Sequence, residues 1–281
     1  MTSQPLTLAG APLLALASGA LYWPAERLLA VADLHLGKSE RLARRGGTLL
    51  PPYETQATLD RLAVEIDRVD PARVVCLGDS FDDSAAGEVL PERGRLAALM
   101  AGRDWLWIAG NHDPAPPSLG GSHRAEARIG PLVFRHAAHP DAAPGEVSGH
   151  YHPKLRLVLA GRTVSRPCFL YDARRLLLPA FGAYTGGLRA VDPALARLLA
   201  PDARAILTGE PCVALPLAPA LARVGRAGAP GGAGGVLEGG ERGGAPFDGA
   251  THLARLTGRY SLDRSPGYQW MEAMGRLFSP L

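Results

Sequence analysis

The chain has 281 residues, of which 47% are apolar and 20% charged, the composition of a folded globular protein and not of a disordered chain. Its net charge of +3 is too small for a strongly basic coat protein of nucleic acid. Cys76, Cys168 and Cys212 are far apart and form no CxxC pair, which argues against a disulfide framework or a thiolate zinc site and favours a reducing compartment.

Residues 6–23 are almost uncharged and superficially look like a targeting segment. A signal peptide needs a basic start, but the first basic residue is Arg27. A membrane helix needs a longer unbroken apolar run, and Pro12 and Gly19 interrupt this one. We therefore expect two short buried strands that feed a third strand, and a cytoplasmic protein without membrane contact.

The following segments alternate between strand and helix patterns. Short apolar runs predict buried strands at 28–32, 72–77 and 105–109. Apolar residues at helical spacing predict a helix from Glu54 to Val69, which Pro71 ends, and a second helix over 91–101. Residues 38–46 are polar and basic and suit a helix or an ordered loop.

Strand patterns dominate from residue 132 onward. They are found at 132–134, 147–148, 155–160, 168–171 and 175–179. A strand–helix alternation followed by strands predicts an α/β protein with two packed sheets and helices outside.

The composition changes near residue 225. Residues 225–249 hold eleven glycines, which predicts a flexible linker because so little surface can be buried. We expect one domain over 1–224, this linker over 225–249, and a short helical or disordered tail over 250–281 that is too small for its own core.

Five polar clusters directly follow predicted strands. They are Asp33-x-His35, Gly78-Asp79-x-x-Asp82, Gly110-Asn111-His112-Asp113, His136 and Gly149-His150-x-His152. Each alone is a weak pattern, but together they offer the carboxylates, imidazoles and carboxamide that suit Mn²⁺, Fe²⁺ or Zn²⁺. Open α/β folds place their sites at such strand ends. His139 competes with His136, but it precedes a proline in a loop, whereas His136 is directly beyond its strand.

The order of these clusters resembles the calcineurin-like metallophosphoesterase superfamily over residues 28–152. The stretches ADLHLGKSE, GDSFDD, GHYHPK and LLLPAFGAYTGG are most similar to the bacterial ligase-associated DNA damage response endonuclease family, over roughly residues 5–217. Asp82 departs from that branch, where histidine is expected, and this bears on substrate preference. The resemblance implies a four-layer αββα sandwich of two mixed sheets with outer helices.

The resemblance also implies two divalent metal ions, with Mn²⁺ preferred over Fe²⁺ or Zn²⁺. Asp33, His35 and His152 would hold the first ion, Asn111, His136 and His150 the second, and Asp79 would bridge both. Metals so held activate a water for in-line attack on phosphorus. His112 would then protonate the leaving group as a general acid, oriented by Asp82 or, alternatively, by Asp113.

Two further features bear on substrate binding. Lys38, Arg41, Arg44 and Arg45 form a basic run that suits either phosphate-backbone contacts or an ordinary solvated face. The Gly-rich stretch 179–187 is a turn, in which Phe181 and Tyr184 are candidates to rim the cleft and stack on a base.

Together these patterns predict a dinuclear metal-dependent phosphoesterase acting on phosphodiester bonds. The family resemblance implies a DNA endonuclease or phosphodiesterase in ligase-associated repair. The family label implies a DNA ligase and a helicase as partners beside the nucleic acid. One alternative is a small-molecule phosphatase or cyclic-nucleotide phosphodiesterase with the same metal site. Another is a non-catalytic repair adaptor, which is disfavoured because all seven expected ligands and His112 are present.

Overall fold

The computed structural model describes residues 3–44, 53–83, 90–114, 119–159 and 162–218. Its strands are β1 Ser3–Leu8, β2 Ala11–Leu16, β3 Leu21–Trp23, β4 Leu28–Val31, β5 Arg73–Cys76, β6 Asp104–Ile108, β7 Ser122–Arg124, β8 Glu126–Ile129, β9 Leu132–Arg135, β10 Glu146–Ser148, β11 Lys154–Leu159, β12 Arg162–Tyr171, β13 Arg175–Leu177, β14 Arg204–Leu207 and β15 Val213–Pro216. Its α-helices are α1 Lys38–Arg44, α2 Glu54–Val69, α3 Arg93–Met100 and α4 Pro193–Ala196, and Pro24–Glu26 forms a 3₁₀ turn.

The first sheet has the strand order β1-β2-β3-β4-β5-β6-β7. Strands β1 to β4 are joined antiparallel, whereas β4 to β7 are joined parallel. The carboxyl ends of β4, β5 and β6 therefore meet at one edge. The segments that begin at Ala32, Leu77 and Ala109 leave the sheet there and carry three of the five polar clusters.

The second sheet has the order β15-β14-β12-β13-β10-β9-β8, and β11 also pairs with β12. Strands β9, β10 and β13 are parallel neighbours, and the other pairings are antiparallel. His136 follows β9 and the Gly149 turn follows β10, so both leave this sheet at the carboxyl ends of its parallel strands.

Three apolar clusters hold the layers together. One lies between the two sheets and includes Leu28 and Val75 from the first sheet and Phe134 and Phe169 from the second. The outer face of the first sheet packs against α2 and α3. The outer face of the second sheet packs against β11 and against Leu195 of α4. This arrangement is the predicted sandwich of two mixed sheets with helices outside.

Helix α2 shows why apolar spacing in the sequence predicts a helix and its ends. Its buried residues Leu59, Leu62 and Ile66 recur at helical spacing and face the first sheet. The helix ends where Asp70 turns left-handed, with its N–H donating to the Ile66 carbonyl at 2.9 Å, and Pro71 follows. Its bounds are those predicted from the sequence.

Other segments differ from the sequence prediction. Residues 6–23 contribute to three strands and not two before β4, and β7, β8, β14 and β15 had no predicted counterpart. Strand β7 is exposed throughout, so it has no apolar pattern to detect. The predicted linker 225–249 and tail 250–281 lie outside the described residues. Among the described helices, none has the length and apolar character needed to span a membrane.

Candidate metal centre

The first group of candidate ligands comprises Asp33, His35 and His152. Their ligand atoms lie within 4.8 Å of one another, and Nε2 of His152 is 3.2 Å from Oδ1 of Asp33. Asp33 and His35 follow β4 of the first sheet, whereas His152 follows β10 of the second. Residues about 120 positions apart in the chain are thus brought to one point where the two sheets meet.

The second group comprises Asp79, His136 and His150, whose ligand atoms also lie within 4.8 Å of one another. Nε2 of His136 is 3.4 Å from Oδ2 of Asp79 and 3.0 Å from Nδ1 of His150. The two groups are neighbours, because Nδ1 of His136 is 3.9 Å from Oδ1 of Asp33. The structure therefore has one site with two adjacent sets of metal-competent donors.

Asn111 was the remaining predicted ligand. It lies in the segment after β6, beside His112, and is exposed. The structure brings its segment to this edge, because the N–H of His112 donates to Oδ1 of Asp79 at 2.9 Å. Coordination by Asn111 and the bridging role of Asp79 remain predictions.

The ligand segments adopt an unusual backbone. Asp33, His35, Asp79, His150 and His152 have positive φ angles of 54°, 47°, 46°, 72° and 46°. Occupying this left-handed region costs L-residues about 1–2 kcal/mol each. Such conformations persist only where the surroundings enforce them, and they cluster at functional sites.

Two glycines permit the close approach of these segments. A Cβ at Gly149 would lie 2.6 Å from Oδ2 of Asp33, and one at Gly110 would lie 2.1 Å from the amide nitrogen of Asp79. Without side chains at these positions, the N–H of His150 can donate to Oδ2 of Asp33 at 2.9 Å. The glycines in the two sequence clusters are thus explained by packing between backbone and carboxylate.

Hydrogen bonds behind the ligands set which ring nitrogen faces the cleft. Nδ1 of His136 is 2.8 Å from the carbonyl of Leu77, so this nitrogen donates and Nε2 faces Asp79 and His150. Nδ1 of His35 is 3.0 Å from Oδ1 of Asp82. Bonds of this kind are what orient metal-binding histidines in proteins.

The charges and protonation states of the candidate ligands also favour the binding of cations. Burial alone would raise the pKa of Asp79, but hydrogen bonds from His136 and the His112 N–H, with the charges of both histidines, hold it well below its usual range. Burial would lower the pKa of His136, but Asp79 and Asp33 outweigh this and raise it. Burial and the neighbouring His136 lower the pKa of His150 and favour its neutral, ligand-competent form. The buried carboxylates attract positive charge, and the donor set fits divalent metals.

His112 is placed differently from the other histidines of the cleft. Its side chain is 45% exposed, whereas those of His35 and His136 are 7% and 6% exposed. Its Nδ1 is 3.1 Å from the backbone carbonyl of Asp82, and its Nε2 is 4.0 Å from Oδ2 of Asp79. The ring of His112 is therefore accessible to solvent beside the second ligand group.

The partner predicted for His112 is corrected by the structure. The carboxylate of Asp82 contacts His35 and Arg41, and only its backbone carbonyl reaches His112. Spacing along the chain cannot distinguish a carboxylate from a carbonyl of the same residue. Asp82 is thus a supporting residue of the first ligand group.

Asp113, the alternative partner, directs one carboxylate oxygen to backbone N–H groups instead of to the His112 ring. Its Oδ2 accepts the N–H groups of Ser80 at 2.7 Å and Phe81 at 3.1 Å, so it fixes the segment that carries Asp79. Burial, with a contribution from the charge of Asp79, raises the pKa of Asp113 to about 6.

The described part of the predicted basic run lies on α1, which begins three residues after His35. Lys38 is at its start, and Arg41 donates through Nε to the carboxylate of Asp82. The side chain of Arg44 and the whole of Arg45 are outside the described residues. Lys38 and Arg41 therefore contact segments next to the first ligand group, and substrate binding by all four residues remains a prediction.

Three further candidates can be placed. His139 is exposed in a loop, where its Nδ1 accepts the N–H of Asp141 at 3.2 Å, so it is not part of either ligand group. Phe181 is fully buried in the outer core of the first sheet, which makes the predicted stacking role wrong for this residue. Tyr184 is 56% exposed.

Comparisons with known proteins agree with this architecture. The sequence profile of the family described as calcineurin-like phosphoesterase matches residues 26–161, which include every predicted ligand. A solved structure titled the crystal structure of Pseudomonas putida nuclease MPE is 33% identical and has a TM-score of 0.61, covering 76% of this chain and 100% of that one. A search of curated proteins found no significant match. The chain therefore belongs to the calcineurin-like phosphoesterases, which are metal-dependent hydrolases of phosphoric esters.

Proposed function

We propose that this protein is a nuclease that hydrolyses phosphodiester bonds in DNA, as an endonuclease of ligase-associated repair with Mn²⁺ as its metal. The observation that carries the proposal is the pair of adjacent donor groups in one cleft. The 33% identical relative from Pseudomonas putida is a nuclease by its title. The repair role, with a DNA ligase and a helicase as partners, is supported by the sequence resemblance to that branch. A reducing cytoplasmic location accords with three buried cysteines that are present as thiols.

The chain's own residues divide the work of hydrolysis. Asp33, His35 and His152 would hold one cation, and Asp79, His136 and His150 the other, with Asn111 as the further ligand. A cation pair so held supplies an activated water and binds the phosphoryl oxygens. His112, exposed beside Asp79, is placed to give the proton on Nε2 to the leaving oxygen, while its Nδ1 is fixed on the Asp82 carbonyl.

A diester of nucleic acid suits the charge beside the cleft. Lys38 and Arg41 project from α1, three and six positions after His35. Arg41 is anchored on Asp82, which also contacts His35, so the basic side chain and the first ligand group share one support. Contacts of this kind bind phosphate without reading sequence.

The reaction class is tested by comparing supercoiled plasmid, a chromogenic phosphodiester and a chromogenic phosphomonoester with Mn²⁺ present. We expect nicking of the plasmid and faster turnover of the diester than of the monoester. Preference for the monoester without plasmid cleavage would instead show a small-molecule phosphatase. DNA binding by metal-loaded protein without hydrolysis of any ester would show an adaptor.

The role of His112 is tested by His112→Ala. We expect kcat on the diester to fall by roughly 10²–10⁴-fold, the range for loss of a general acid, with unchanged metal content. His123→Ala, which removes an exposed histidine on edge strand β7, is the matched control and should retain full activity. Full activity of His112→Ala would contradict the acid role.

A further inference from the structure

Tyr184 displays its ring to solvent from an unusual position. It is 56% exposed at a φ of 54°, while Phe181, three residues earlier in the same stretch, is fully buried. The aromatic ring of Tyr184 is thus not part of the core that fixes the start of this segment.

The backbone around Tyr184 is nonetheless held on both sides. The N–H of Ala183 donates to Oγ1 of Thr58 at 2.9 Å, and Oγ1 of Thr185 donates to the Gly182 carbonyl at 3.2 Å. The exposure of the ring therefore does not come from a loose loop. A tyrosine with a fixed backbone loses little conformational freedom when its ring is covered by a ligand.

Both lysines of the chain converge on this loop. Nζ of Lys38 donates to the Tyr184 carbonyl at 3.2 Å, and Nζ of Lys154 donates to the Thr185 carbonyl at 2.9 Å. Lys38 begins α1 beside the first sheet, whereas Lys154 begins β11, two residues after His152. Two adjacent carbonyls are thus anchored by lysines from two different elements of the fold.

The ends of the loop lie on the backbone of two candidate ligands. The N–H of Gly182 donates to the Asp33 carbonyl at 3.1 Å. At the other end, a Cβ on Gly187 would lie 2.1 Å from the carbonyl oxygen of His152. Tyr184 lies within three residues of each contact, so the loop that carries its exposed ring is joined to the backbone of the first ligand group.

From this juxtaposition we infer that Tyr184 is a stacking platform for an unpaired nucleobase next to the scissile phosphate. The inference rests on the proposed nuclease function and adds to it a side chain that contacts the substrate beside the reacting phosphate. An ammonium group has three N–H donors, so Lys38 can hold the loop and still contact a phosphate adjoining the stacked base. Stacking on an aromatic ring tolerates any base, since each base has a π-face.

The test compares Tyr184→Ala and Tyr184→Phe on two single-stranded oligonucleotides of one length, one with all its bases and one abasic around the cleavage position. We expect Tyr184→Ala to raise KM for the first oligonucleotide by about 5- to 100-fold with little change in kcat, the loss typical of one stacked base. Tyr184→Phe should match the wild type. On the abasic oligonucleotide, wild type and Tyr184→Ala should have equal KM.

A fluorescent 2-aminopurine at the same position gives a second readout, because stacking on the ring quenches it on binding in the wild type and not in Tyr184→Ala. Equal losses on both oligonucleotides, or no loss on either, would overturn the inference. If the wild type cleaves a chromogenic diester but neither oligonucleotide, the proposed nuclease function itself fails, and the inference falls with it.

Discussion

At the scale of single residues, Asp82 is the side chain whose role changes most between sequence and structure. Its buried carboxylate lies between the candidate ligand His35 and the basic side chain of Arg41. Burial would raise the pKa of Asp82, but the hydrogen bonds from His35 and Arg41 outweigh it and lower the pKa. One charged group therefore holds both a candidate metal ligand and a basic side chain beside it.

Replacing Asp82 by asparagine keeps the shape of the side chain and removes its charge. We expect Asp82→Asn to weaken metal binding by about 10–100-fold, as loss of a partner behind a ligating histidine does. Calorimetric titration with Mn²⁺ measures the change. Asp60→Asn is the control, because Asp60 is also paired with an arginine but lies exposed on α2. Unaltered metal affinity in Asp82→Asn would show that His35 needs no such support.

The candidate ligands themselves could be predicted because polar clusters that follow apolar strands can be recognised from the sequence alone. Their supports could not be predicted. The Leu77 carbonyl that holds His136 is 59 positions away, and the two lysine anchors of the Tyr184 loop span 146 and 31 positions. Nothing in local spacing marks these pairs, because any carbonyl or hydroxyl can serve once the fold brings it near.

At the scale of elements, apolar runs and helical spacing predicted α2 and the buried strands β4, β5 and β6. Those strands are apolar on both faces because each lies between the central core and the outer helices. Strand β7 was missed because edge strands need no buried face. Strand pairing also was not predictable, since β10 joins β9 and β13 across intervening loops.

The turn after β10 gives a test at this scale. Gly149→Ala would place a Cβ 2.6 Å from Oδ2 of Asp33 and 2.7 Å from Cβ of Ala32, so we expect a loss of about 1–3 kcal/mol in unfolding free energy and weaker metal binding. Gly94→Ala in α3 meets no atom within 4 Å and should instead add about 0.4–1 kcal/mol. Urea unfolding of both variants provides the measurement. A Gly149→Ala protein as stable as the wild type would contradict the packing described for this turn.

At the scale of the whole molecule, each donor group joins the two sheets. The first takes Asp33 and His35 from the first sheet and His152 from the second, and the other takes Asp79 from the first sheet and two histidines from the second. A cation held by either group therefore links the two halves of the sandwich. Metal binding should stabilise the fold because these donors are assembled only in the folded state.

Thermal unfolding with Mn²⁺ and with a chelator tests this linkage. A ligand at 100 times its Kd stabilises by about 2.7 kcal/mol, which corresponds to roughly 5–10 °C in Tm for a domain of this size. We expect that shift in the wild type and a clearly smaller one in Asp79→Asn. Asp60→Asn should shift like the wild type. A Tm independent of metal would show that the sheets hold together without it.

The left-handed backbone of five candidate ligands determines which substitutions would stabilise the metal-free protein. Glycine adopts that conformation without the penalty that aspartate and histidine pay there. A laboratory selection that rewards heat resistance alone, in the absence of metal, would therefore favour loss of these very side chains. Hydrolytic activity and maximal stability of the metal-free protein therefore favour different residues at these positions. Only a screen that also selects for turnover would retain the candidate ligands.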